Sequence, residues 1–190
     1  MEPNRIFPSK FPVFLIAVFV GFLMSPLSTP AAPANKGQAL IDATVNGDAA
    51  MVQALLDQGV NVDGPNNEGA IPLILASYDG HEGIVKMLLA KGAEVNLQGK
   101  FGMTALFLAS QRGHIEVVRI LLAQGANVNH PAKTGATAIF LASNYGHEEI
   151  LEVLLKHGGH VNHQNKEGKT ALSVAKTEQI AKLLKAAGAK

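Results

Sequence analysis

Four sets of residues recur along this chain at a step of 33 positions. Gly69, Gly102, Gly135 and Gly168 form one set, and Gly47, Gly80, Gly113 and Gly146 a second. The leucine pairs Leu55-Leu56, Leu88-Leu89, Leu121-Leu122 and Leu154-Leu155 keep the same step, as do Gly59, Gly92, Gly125 and Gly158. A period of this length, held without slip, describes an array of one small unit. Such a unit cannot bury its own apolar face and depends on its neighbours for a core.

Each unit reads as two helices and a turn. In the third unit Thr104 supplies a side-chain N-cap for Ala105-Leu106-Phe107-Leu108-Ala109-Ser110. That helix stops near Gly113. A second helix carries Val117, Val118, Leu121 and Leu122, the i, i+1, i+4, i+5 pattern of one buried face. Gly125 stands where a left-handed residue ends such a helix. From Asn127-Val128-Asn129 to Gly135 the chain makes an extended turn into the next unit. The expected fold is an all-α solenoid of stacked helix-turn-helix units joined by β-turn loops, with units over about 36–65, 66–98, 99–131, 132–164 and 165–190.

These units resemble the ankyrin repeat family. The resemblance rests on Gly102-Met103-Thr104-Ala105-Leu106, Gly113-His114-Ile115-Glu116-Val117-Val118 and Leu121-Leu122-Ala123-Gln124-Gly125-Ala126-Asn127-Val128-Asn129. It is repeated in Gly80-His81-Glu82-Gly83-Ile84-Val85 and Gly146-His147-Glu148-Glu149-Ile150-Leu151, and spans about Asn35 to Lys190. Three departures matter. The family's Thr-Pro-Leu-His stretch appears as Ile71-Pro72-Leu73-Ile74, Thr104-Ala105-Leu106-Phe107 and Thr137-Ala138-Ile139-Phe140, so the histidine's hydrogen bonds are lost or made otherwise. The first unit lacks that stretch, has Asp48 where later units have histidine, and presents Gln38, Asp42 and Asn46 as a polar end cap. The last unit is four residues short, and Lys176, Glu178, Lys182 and Lys185 solvate its far side.

The N-terminus is a separate piece. Arg5 and Lys10 precede an apolar run from Phe11 to Met24, and Ser25 to Ala34 is rich in small residues and proline. This is the plan of a secretory signal over 1–34, with cleavage after Ala34 at Ala32-Pro33-Ala34 or alternatively at Ala31. The alternative is an uncleaved membrane anchor over 11–27, although a spanning helix needs about 20 apolar residues. A repeat domain over 35–190 follows, expected to be periplasmic or secreted, or else held at a membrane by the N-terminal segment alone.

Composition narrows the chemistry. Two of the 16 basic and one of the 15 acidic side chains fall in the first 34 residues, so the remainder balances. With no basic run, the electrostatic footprint of a nucleic-acid binder is missing. There is no cysteine, which excludes disulfides, thiolate metal sites and a cysteine nucleophile. Tryptophan is absent too, so the core must come from Leu, Val, Ile and Ala.

Candidate reactive groups all have simpler readings. His81, His114 and His147 precede helices one unit apart and read as polar helix starts. His157, His160 and His163, with His130 one unit earlier, invite a zinc or copper site, but no carboxylate lies among them. Glu148, Glu149 and Glu152 read as a solvated helix face. No Gly-rich phosphate loop follows a strand. No catalytic residue, metal or cofactor is therefore assigned.

What remains is surface. The resemblance implies that ligands meet the concave side, built from turn tips and the exposed ends of the first helices. On this sequence the helix positions are Tyr78-Asp79, Gln111-Arg112 and Asn144-Tyr145. The turn positions are Glu68 and Ala70, Phe101 and Met103, Thr134 and Ala136. Tyr78, Arg112, Tyr145, Phe101 and Met103 belong to residue types common at binding hot spots. The expected function is that of a monomeric, non-catalytic adaptor that binds another protein through this face. The alternative is a structural or protective role, stabilising an envelope enzyme or complex.

Overall fold

The computed structural model describes residues 36–66 and 68–190. The N-terminal segment and its proposed cleavage sites lie outside the described residues. Pro33–Lys190 forms one compact unit.

Among the described residues there are nine α-helices and no strand. They pair in chain order. The first unit holds α1 (Lys36–Val45) and α2 (Ala49–Asp57), the second α3 (Pro72–Asp79) and α4 (Glu82–Ala90). The third holds α5 (Ala105–Arg112) and α6 (Ile115–Ala123), the fourth α7 (Ala138–Tyr145) and α8 (Glu148–Lys156), and the last α9 (Glu178–Ala186).

Local sequence sets these boundaries. The hydroxyls of Thr104 and Thr137 accept from the N–H groups of Phe107 and Phe140, at 3.3 and 3.5 Å, and so cap α5 and α7. Ile71 offers α3 no such cap, but Pro72 at its first position lacks an N–H to satisfy. Gly80, Gly113 and Gly146 end the first helices in the left-handed conformation, where a side chain would be strained.

The core follows the composition. Ala43, Ala76, Ala109 and Ala142 are at most 5 % exposed, and each precedes a fully buried Thr44, Ser77, Ser110 or Ser143. These small side chains let neighbouring first helices approach closely. First helices pack against each other more intimately than second helices do, so their side is the shorter, concave one. Thr44 and Ser143 return their hydroxyls to the carbonyls of Leu40 and Ile139, which keeps them satisfied inside an apolar seam.

The second helices are one-sided. In α6 the buried set is Val117, Val118, Leu121 and Leu122, the four expected. In α8 the set is Ile150, Leu151, Val153 and Leu154, while Leu155 is only half-buried. Val153 is three residues after Ile150 and therefore shares its stripe.

The shortened last unit has a physical consequence. Too few residues separate Thr170 from α9 to wind a full first helix, and a single 3₁₀ turn, Leu172–Val174, takes its place. Thr170 and Ser173 lock that turn by exchanging hydrogen bonds. Lys176, Glu178, Lys182 and Lys185 are exposed beyond it, as an end cap requires. No helix among the described residues is long and apolar enough to cross a membrane.

Candidate functional site

Two ladders fix one unit to the next. His81, His114 and His147 stand at the N-cap positions of the second helices, yet none caps its helix through the side chain. Each ring reaches back one unit instead. Nε2 meets the carbonyl oxygens of Val45, Tyr78 and Gln111, at 3.4, 2.9 and 3.0 Å. These histidines do stand at helix starts, as the sequence implies, and their rings in addition satisfy carbonyls left over at the ends of the preceding first helices. The glycines that end those helices make room, since a Cβ on Gly80 would lie 2.6 Å from Nδ1 of His114. In the final unit Lys176 takes the place of histidine, its Nζ donating to the Tyr145 carbonyl at 3.2 Å.

The second ladder is asparagine. The side-chain amides of Asn96, Asn129 and Asn162 donate to the carbonyls of Gly125, Gly158 and Gly188. Their side-chain oxygens accept from the N–H groups of Asn127, His160 and Lys190, each one unit on. These contacts hold the units in register and leave the turn tips free to carry variable residues.

The tips themselves are small hairpins. Each closes on a backbone bond, Asn66 N–H to Ala70, Gly99 to Met103, Ala132 to Ala136, and Asn165 to Lys169, with a tighter bond inside it from Gly69, Gly102, Gly135 or Gly168 back to the first residue of the pair. Neighbouring tips are also joined, because Lys133 N–H donates to the Phe101 carbonyl at 2.8 Å and Lys166 N–H to that of Thr134 at 2.9 Å. In the second and last units Asn66 and Asn165 brace the tip with two side-chain-to-backbone bonds each. In the third unit Gly99 can offer none. Phe101 there has φ 64°, the one non-glycine residue in the left-handed region among those described, and its side chain is 40 % exposed. That conformation costs an aromatic residue about 1–2 kcal/mol, and such strain gathers at functional positions.

At the ends of the first helices the predicted residues meet in pairs across units. The Arg112 guanidinium sits 4.7 Å from the Tyr78 ring centroid. Gln111 Nε2 donates to the Tyr145 hydroxyl at 3.1 Å, and the Tyr145 ring lies nearly parallel to that of His147, with centroids 6.4 Å apart. Tyr78 and Tyr145 are half-buried by these contacts. They are therefore part of the inter-unit packing as well as of the surface. Asp79 is exposed, and local burial still raises its carboxyl above the usual value against the pull of His81, Arg112 and His114. Asn144 and Met103 are half-buried, and the Asn144 side chain makes no hydrogen bond. Ala136, proposed above for the turn surface, is instead buried at 1 % exposure, where its carbonyl closes the hairpin with Ala132.

Four of the other candidates make structural contacts. His157 Nδ1 lies 2.8 Å from its own helix's Val153 carbonyl, and His163 Nε2 lies 3.0 Å from the Gly135 carbonyl. No three metal-ligating side chains converge among the described residues. Glu149 pairs with Arg119 at 2.7 Å and Glu148 accepts from the Thr177 hydroxyl at 2.8 Å, so two of the three acids on α8 join neighbouring units. Glu152 is exposed.

Helix pairs stacked at a fixed period, with hairpin tips along one edge, define a repeat solenoid. A family model for ankyrin repeats in three copies matches residues 18–99, 40–132 and 106–190, and the chain belongs to the ankyrin repeat family. The first of these matches opens at residue 18, ahead of the first described helix. No curated protein matches the sequence. Ankyrin repeats generally mediate protein–protein interaction and are typically non-catalytic binding modules.

Proposed function

We propose that this protein is an exported, monomeric ankyrin repeat adaptor that binds a protein partner through its concave face and catalyses nothing itself. The reading is supported most by the pairing of Tyr78 with Arg112 and of Gln111 with Tyr145. Large amphipathic side chains are held in place there before any partner arrives. Such side chains give contact area and hydrogen bonds at modest entropic cost.

The test is the triple substitution Y78A/R112A/Y145A. It should leave the chain folded and helical at a cost of about 1–3 kcal/mol, since Tyr78 and Tyr145 are half-buried and also pack between units. Affinity for the partner, measured by calorimetry once that partner has been purified, should fall by at least about 2 kcal/mol, roughly thirtyfold. The matched control replaces Glu152 and Lys156, both exposed on α8. Equal losses from the two variants would place the binding surface elsewhere.

Export is supported by the charged start, apolar core and small-residue end of 1–34. Fused to a reporter active only outside the cytoplasm, this segment should confer activity, and the mature protein should begin near Asn35. Full-length protein retained in the membrane fraction would favour the anchor over 11–27 instead.

A further inference from the structure

The tips carry a feature that a linear reading hides. Lys100, Lys133 and Lys166 are 33 positions apart, and all three are exposed. The sequence shows no basic run, but stacking turns these residues into a row. The backbone bonds from Lys133 to Phe101 and from Lys166 to Thr134 join the three tips directly. The row is also packed from beneath. Lys100 runs over Gly69, whose Cβ would lie 3.4 Å from its Cε, and Lys133 runs over Gly102, whose Cβ would lie 3.5 Å from its Cγ. Bare glycines at one tip thus support the lysine stem of the next. Among the described residues none of the three ammonium groups enters an ion pair, whereas Lys169 is held by Glu167 at 3.1 Å.

Resting on the proposal that this face binds protein, we infer that the partner presents an acidic, extended segment laid along the tips, parallel to the stack. Three exposed cations in line, against two exposed tip acids at the ends of the row, Glu68 and Glu167, favour an anionic occupant. Exposed Phe101, between Lys100 and Lys133 in the path of the segment, favours a polypeptide with an apolar side chain over a bare polyanion. The spacing sets the register. Neighbouring helices pack roughly 8–10 Å apart, and a segment in the extended polyproline II form, with three residues to the turn, advances about 3.1 Å per residue and returns every third side chain to the same face. Every third residue of the segment therefore meets a lysine.

Three synthetic dodecapeptides test this by fluorescence anisotropy with the full chain. One carries Glu at every third position with Ser and Gly between, one carries the same four Glu side by side, and one has Gln for every Glu. The spaced peptide should bind at least about tenfold more tightly than either of the others, as expected for a few exposed ion pairs acting together. That preference should shrink as salt shortens electrostatic reach. K100E/K133E/K166E, which stays helical because all three positions are exposed, should lose the preference. Equal binding of the clustered or Gln peptide, or unchanged binding by the triple variant, would overturn the inference. So would binding only to oligothymidylate or to phosphatidylserine vesicles in place of the peptide. If the peptides fail while Y78A/R112A/Y145A still abolishes binding of the purified partner, the acidic segment is wrong and the concave binding face stands.

Discussion

Leu121→Ala should destabilise the chain by about 2–5 kcal/mol, the range for truncating a buried leucine. Leu121 is fully buried in α6, with the second helices of the units on either side packed against its own. A stack has no separate core into which the loss can be absorbed. Its stability is a sum of units and of the interfaces between them, so a cavity in the third unit weakens both of its interfaces. His114→Ala, seven residues earlier in the same unit, should cost only about 1 kcal/mol, the net value of one hydrogen bond and some packing. Urea unfolding of the two variants checks the ordering. A histidine variant as unstable as the leucine variant would mean that the ladder, not the apolar interface, holds the units together.

Gly135→Ala should cost about 2–4 kcal/mol, from left-handed backbone strain and a collision together. Gly135 has φ 81°, and a Cβ there would lie 2.8 Å from the backbone nitrogen of Lys166 and 3.0 Å from Cα of Asn165. Those atoms cannot swing aside as a side chain can. Relief would pull the tips apart and break the bond from Lys166 to Thr134. Gly168 occupies the same place one unit later, at φ 74°, with nothing within 4 Å of its Cβ position. Gly168→Ala should therefore show only the strain, about 1–2 kcal/mol. Equal unfolding midpoints for the two variants would remove the argument that close approach of the tips, beyond glycine's backbone freedom, explains Gly135.

Much of this was legible in the sequence because ladders of identical residues report identical environments. The caps at Thr104 and Thr137, the helix ends at Gly113 and Gly125 and the buried stripe of α6 each follow from a local rule, and a rule repeated every 33 residues is hard to misread. Contacts between units were less legible. His114 at a helix start looks the same in sequence whether its ring caps that helix or reaches back to Tyr78, and only the placed neighbour decides. Asn129 joins two units through bonds to residues 29 and 31 positions away, which no local pattern announces. Of the face proposed to meet a partner, the sequence singles out residues but not their pairing. Tyr78 against Arg112 and Gln111 against Tyr145 are diagonal contacts between units. The lysine row stands in the sequence only as a step of 33, since its members are far apart along the chain and form no run. The strain at Phe101 leaves no trace in composition at all.

The proposed function requires that the concave edge, not the outer helices, meet the partner. Site-specific photo-crosslinking in the protein's native cells tests it most directly. Benzoylphenylalanine is placed at Phe101 in one full-length variant and at Lys156 in another. A discrete protein adduct is expected from the Phe101 position, disappearing when Y78A/R112A/Y145A is added, and no such adduct from Lys156. Adducts of equal yield from both positions, or from Lys156 alone, would contradict it.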